Sequence, residues 1–144
     1  MKEKMNVLFI TPFEDMRPTV QKIARLFPNI DASIRSGSDE EGLQIALDAS
    51  NANLDCIVSR GNTATMIRSA VATPVVEVKT TLNDVLQSLA DVPQLPAVVG
   101  AVGYSNVLSG MDVLKRFLPF DLKIFGFDHV SQTTAIFSEL KAAN

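Results

Sequence analysis

The sequence predicts an α/β fold of three layers, α/β/α, on a parallel sheet, with the start of a second, similar lobe late in the chain. Three observations carry this prediction. Short apolar, β-rich runs alternate with helical patterns almost from end to end, the order expected of parallel strands joined by crossover helices. The run Leu54–Val58 is apolar throughout except for Asp55, as suits a central strand buried on both faces. After Pro93 and Pro96 the order strand, polar loop, helix, strand, helix begins again.

The first strand is Val7–Ile10, followed by Thr11-Pro12-Phe13. Pro18 suits the first turn of a helix, and Val20, Ile23, Ala24 and Phe27 follow at helical spacing. A short strand spans Ala32–Arg35. Ser38 and Glu41 have the spacing of a capping box opening a second helix, whose apolar face is Leu43, Ala46 and Leu47. The Leu54–Val58 strand turns through Ser59-Arg60-Gly61-Asn62-Thr63 into a third helix bearing Met66, Ile67 and Ala70. Pro74 precedes the strand Val75–Lys79, and Leu82, Val85, Leu86 and Leu89 mark a fourth helix. Beyond the prolines come a strand at Ala97–Val102, a helix at Val107–Leu118, a strand at Leu122–Phe127 and a helix at Gln132–Lys141. The expected division is therefore 1–95, a lobe with a parallel four-stranded sheet, and 96–144, a partial second lobe cut before its later strands.

The bulk composition narrows the function. At 144 residues, 47% of them hydrophobic, the chain has enough apolar material for a real core. A formal net charge of −3 argues against nucleic-acid contact by this segment, which would show clustered Lys and Arg. No stretch is long and apolar enough to span a membrane, and the N-terminus lacks a secretory pattern, so a cytoplasmic location is expected. The single Cys56 excludes an intramolecular disulfide and the paired-cysteine chemistry of amino-acid racemases. His129, the only histidine, cannot build a multi-histidine metal site and reads as a turn residue. No cofactor is expected: Gly100-Ala101-Val102-Gly103 lacks the remaining glycine spacing of a dinucleotide fingerprint.

The strongest local feature is Ser59-Arg60-Gly61-Asn62-Thr63, where a buried strand gives way to a helix. Ligands of open parallel sheets bind beyond the carboxyl ends of strands. Gly61 permits close backbone approach, Asn62 or Thr63 can cap the helix, and free amides at a helix start favour an anion. Arg60 offers a planar fork for a carboxylate or phosphate. A tight turn with a cap and a surface arginine explains the same residues. Thr11, Pro12 and Phe13 fall on the equivalent edge, Thr11 as a donor and Phe13 as an apolar wall. Glu14 and Asp15 suggest the acidic pair of a phosphoryl-accepting receiver, but the third strand ends in Ser59 and Arg60 where that chemistry needs an aspartate. Glu77 and Lys79 share one face of their strand and reach toward the same crevice, or else form an ion pair or lie in solvent. Tyr104, Ser105 and Asn106 follow the fifth strand as Thr11–Phe13 follow the first, and are candidates for an opposing lip.

Asp55-Cys56-Ile57-Val58-Ser59-Arg60-Gly61-Asn62-Thr63-Ala64, Ile67-Arg68 and Thr73-Pro74-Val75-Val76-Glu77-Val78 together resemble the amino-terminal receptor-domain family of the propionate-catabolism activator PrpR. Val98 to Val107 resembles the motif that opens the second lobe in that family. The resemblance runs across essentially the whole chain. It implies two flavodoxin-like or chelatase-like α/β/α lobes with a small anionic metabolite, a carboxylate or phosphate, bound in the cleft between them. It also implies a sensor that catalyses nothing, in a parent that reaches ATP, DNA and sigma-54 RNA polymerase through other domains. Ser59, Arg60, Gly61, Thr63 and Glu77 match the family pattern. Asn62 stands where glycine is usual, and Tyr104-Ser105 where Phe-Glu is usual, which leaves the ligand's identity open. A homodimer suits both this reading and a pure oligomerisation module, since an unpaired sheet edge tends to find a partner. The enzymatic alternative, a racemase or isomerase on a similar fold, has only Glu77, Lys79 and His129 to supply an acid and a base.

Overall fold

The computed structural model describes residues 4–142. The chain divides into two compact units, Met1–Lys79 and Thr80–Asn144.

The first unit is a four-stranded parallel sheet with helices on both faces. Its strands are β1 (Met5–Thr11), β2 (Ile30–Ser36), β3 (Cys56–Arg60) and β4 (Val75–Val78), in the spatial order β2-β1-β3-β4. The connecting helices are α1 (Arg17–Ala24), α2 (Asp39–Asp48) and α3 (Gly61–Ala70). Pro18 lies in the first turn of α1, where its missing N–H costs nothing. The core is the sheet face on which Leu8, Ile10 and Ile57 meet Ala46 of α2 and Ile67 of α3, with Ile45, Ala49, Leu54, Val71 and Val75 packed around them. Burying that cluster takes its apolar area out of water, and it fixes which way β1 and β3 face.

Several boundaries differ from the sequence expectation, each for a local reason. The third strand begins two residues late and runs on through Arg60. Asp55 is held before the strand, its N–H donating to the Asn6 carbonyl at 2.9 Å and its carboxylate accepting from the Asn6 N–H at 2.7 Å. The strand then absorbs Ser59 and Arg60, and α3 follows at once, so no loop separates them. The capping box expected at Ser38 and Glu41 does not form, since the Ser38 side chain caps nothing. The Glu41 N–H goes to the Ser38 carbonyl at 3.0 Å, and the Asp39 N–H, also outside the helical ladder, donates to Thr63 Oγ1 of α3 at 2.9 Å. On α2 the inward residues are Gly42, Ile45 and Ala46, while Leu47 is exposed. Lys79 falls just past the end of β4.

The second unit opens with α4 (Leu82–Ala90), which the sequence expectation grouped with the first lobe. Thr81 and Asp84 build a reciprocal capping box at its start. Two parallel strands follow, β5 (Val98–Tyr104) and β6 (Asp121–Phe127), paired in register from Val98 with Asp121 to Tyr104 with Phe127. The single helix expected at Val107–Leu118 is broken into α5 (Ser105–Leu108) and a 3-10 segment over Met111–Arg116. Gly110 causes the break, adopting φ 85, a left-handed conformation that stops a helix and that glycine takes without strain. A last helix, α6, covers Thr133–Ala142.

Candidate functional site

The carboxyl-end edge of the first sheet gathers the ends of β1, β2, β3 and β4, and with them most of the residues singled out in the sequence. Its geometry begins with β3. Side chains alternate along the strand, so Ser59 and Arg60 point to opposite faces. Ser59 is buried and donates its hydroxyl to the Ile10 carbonyl at 2.8 Å, satisfying a polar group that would otherwise be costly there. Arg60 is half-buried on the other face, at the N-cap position of α3. Gly61 takes φ 60, the left-handed turn that lets the chain pass directly from strand to helix. The start of α3 carries no side-chain cap, so its first amides retain the partial positive charge of a helix N-terminus.

Asn62 and Thr63 bind the two crossover junctions together. Thr63, 2% exposed, accepts from the Asp39 N–H, and Asn62 donates its side-chain amide to Asp39 Oδ1 at 2.9 Å. Asp39 adopts φ 46, a left-handed conformation for which aspartate is among the better-suited side chains. Gly42 is required by the same contact, because a Cβ there would lie 2.5 Å from Thr63 Cγ2 and 2.7 Å from the Gly37 carbonyl oxygen. Asn62 thus has a structural role at this junction.

Thr11, the last residue of β1, is buried. Its hydroxyl lies 3.3 Å from the Arg35 carbonyl oxygen and 3.0 Å from Ser36 Oγ. Pro12 is half-buried and Phe13 is 63% exposed. Pro12 lines a groove of about 920 Å3 together with Arg17, Arg35, Ser36, Gly37 and Ser38 and with the carboxylates Glu14, Glu41 and Asp48, over a floor that includes Leu8 and Ile45. Arg17, Arg35 and the Ser36–Ser38 turn were not singled out in the sequence. The edge rule that marked Thr11 and Arg60 applies equally to the end of β2 and would have found all of them but Arg17, which opens α1.

Glu77 pairs with Arg68 of α3 at 3.3 Å, across a partly solvated gap, and Lys79 is exposed beyond the strand. In the second unit Tyr104 ends β5 and packs against Phe127, ring centroids 4.6 Å apart, while Ser105 and Asn106 open α5 and are exposed. His129 lies in a turn where the Gln132 side chain accepts from the N–H groups of Asp128 and His129. Burial pushes the Cys56 thiol pKa up, with the charge of Asp55 adding to the effect, so the thiolate needed for nucleophilic chemistry is disfavoured. Among the described residues no group of three or more His, Cys, Asp or Glu is placed to hold a metal ion, and no helix is long and apolar enough to cross a membrane.

Comparison with known proteins agrees with this architecture. A solved structure described as an NtrC family transcriptional regulator from Clostridium acetobutylicum matches 98% of this chain and 74% of its own, with a TM-score of 0.79 and 21% sequence identity. At that identity the likeness establishes the fold. The family model PrpR_N, propionate catabolism activator, matches residues 28–144, which include β2, the Ser59–Thr63 junction, β4 and the whole second unit. The chain belongs to the PrpR_N, propionate catabolism activator, family.

Proposed function

We propose that this chain is the ligand-sensing domain of an NtrC-type transcriptional regulator, cytoplasmic and without catalytic activity of its own. The family match over residues 28–144 carries the reading, and the fold shared with an NtrC family regulator supports it. The effector is a small anionic metabolite, a carboxylate or phosphate, held at the carboxyl-end edge of the first sheet. Arg60 supplies a guanidinium with five N–H donors, enough to meet an anion and keep an internal partner. Gly61 and the amides that follow supply the helix start. Pro12 and Phe13 border the same edge, with Glu77 and Lys79 near the end of β4, while Tyr104 and Asn106 hold the corresponding edge of the second unit.

The sensor acts on its parent protein only if the effector binds two arrangements of the domain with different affinity. Contact with DNA and with sigma-54 RNA polymerase belongs to other domains of that parent. The test is a thermal-shift screen of the chain against small carboxylates and phosphorylated metabolites, with Arg60→Ala alongside. A compound that stabilises the parent chain and not Arg60→Ala supports the reading and its site. A hit that survives Arg60→Ala moves the site elsewhere. Silence from every compound, repeated on the full-length regulator, overturns the sensor reading.

A further inference from the structure

We infer that the outer edge of β2 is a self-association edge, pairing antiparallel with β2 of a second copy about a two-fold axis through Ser33. β2 is a terminal strand in the order β2-β1-β3-β4, so one side of its backbone has no strand partner within its sheet. Such an edge is a template for another strand.

The sequence of β2, Ile30-Asp31-Ala32-Ser33-Ile34-Arg35-Ser36, is self-complementary about its centre. In an antiparallel pair centred on Ser33, Asp31 stands opposite Arg35 of the second copy, and Arg35 opposite its Asp31. Ala32 and Ile34 oppose each other in the same way. Asp31, Ser33 and Arg35 are exposed and share one face, while Ala32 and Ile34 lie half-buried on the other. Among the described residues neither Asp31 nor Arg35 is in a salt bridge within the chain. Opposite charges directly across a strand pair stabilise it, and like charges destabilise it. A slip by two residues would set Asp31 against Ser33 and lose both ion pairs, so the charges define the register.

An apolar surface continues from this edge. On the other face α1 and the residues after it leave Ile23, Leu26 and Phe27 exposed at 51%, 71% and 49%. A groove of about 400 Å3 runs beside them, lined by the apolar Ala24, Phe27, Ala32 and Ile34 and also by Lys4 and Arg25. The two-fold axis brings two such patches together, giving the dimer an apolar contact next to its paired strands.

The test is the mass of the full chain in solution by size-exclusion chromatography with light scattering. The unmodified chain is expected at twice its 15.6 kDa. Asp31→Arg alone sets Arg against Arg, and Arg35→Asp alone sets Asp against Asp, so each is expected at the monomer mass with unchanged far-UV circular dichroism. The double variant Asp31→Arg/Arg35→Asp restores opposite charges and is expected to return to the dimer. Ser33→Cys, with Cα atoms about 4.5–5.5 Å apart across the axis, is expected to form a covalent dimer on mild oxidation. The unmodified chain, whose lone cysteine lies in β3, is not. A monomer at the highest soluble concentration overturns the inference. So do single reversals that leave the dimer intact, or a double variant that fails to restore it.

Discussion

Thr63→Val exchanges one buried hydroxyl for a methyl group and leaves side-chain volume almost unchanged. Its hydroxyl accepts the N–H of Asp39, the first residue of α2, at 2.9 Å. That amide lies outside the intrahelical ladder, so Thr63 does the work of a cap from a neighbouring helix. Leaving a part-buried donor unsatisfied costs about 1–3 kcal/mol, and the retained volume keeps any cavity contribution small. The expected loss is therefore about 2 kcal/mol, read as a fall of about 1 M in the urea midpoint for a slope near 2 kcal/mol per M. Thr63→Ser is the control, because it keeps the hydroxyl and removes only the methyl that packs against Gly42. It should cost about 1 kcal/mol. Urea unfolding followed by circular dichroism, with unchanged slope, distinguishes the two. If Thr63→Val unfolds within about 0.5 kcal/mol of the parent chain, which is the scale of an ordinary surface substitution, the hydrogen bond does not hold the junction. The same conclusion follows if Thr63→Val proves milder than Thr63→Ser.

Gly42→Ala should destabilise by about 1–3 kcal/mol through overpacking. Adding Thr63→Ser should recover only part of that in the same urea assay, since the Gly37 carbonyl still stands 2.7 Å from the new Cβ. Gly61→Ala, forced to hold φ 60, should cost about 1–2 kcal/mol, and Gly61→Asn less, because asparagine tolerates left-handed backbone. Cys56 should react with iodoacetamide more slowly in the folded chain than in urea at neutral pH, because burial and Asp55 both raise its pKa. With the folded pKa above the unfolded one, the stability linked to this thiol is intact below the unfolded pKa. It is lost as pH rises through the folded pKa, and melting curves of the parent chain and Cys56→Ala across the alkaline range would show it.

Most of the fold was legible because its signals are local and repeated. The alternation of β-rich runs with helical spacing gave the strands, Pro18 gave the start of α1, and the apolar run around Ile57 and Val58 gave a central strand. What escaped depended on contacts between distant residues. The Ser38–Glu41 pattern is a good cap by itself, but the Glu41 N–H goes to the Ser38 carbonyl at 3.0 Å, and a hydroxyl distant in sequence, Thr63, serves the Asp39 N–H beside it. The continuation of β3 through Arg60 depends on pairing with Val78 in β4, which spacing does not reveal. Gly110 was readable as a helix breaker, and the apolar spacing from Val107 to Leu118 obscured it. The strand–helix order placed the candidate residues at or just beyond the carboxyl ends of their strands. Whether each polar group faced a ligand or the protein could not be read without knowing its neighbours.

That last distinction orders the candidates. Thr11, Ser59, Asn62 and Thr63 are polar, lie at the sheet edge, and look like ligand contacts in the sequence. In the structure each is committed to an internal partner: Ser36 and the Arg35 carbonyl, the Ile10 carbonyl, and Asp39 for the last two. A ligand that recruited them would break hydrogen bonds worth about 1 kcal/mol each and leave buried partners unsatisfied, so its net gain from them would be small. Arg60 differs because a guanidinium has donors enough for more than one acceptor, and the amides at the start of α3 differ because no side chain caps them. The internal network therefore acts as a frame. It fixes the backbone angles at Asp39 and Gly61 and holds α2 against α3, and so sets the direction in which the uncapped amides and Arg60 point. On the proposed reading, a substitution in the frame should lower the urea midpoint and weaken anion binding only as far as it displaces Arg60 or the α3 amides. Arg60→Ala should remove anion binding while lowering stability by no more than the loss of one internal hydrogen bond, about 1 kcal/mol, and that separation is what distinguishes a ligand contact from a support.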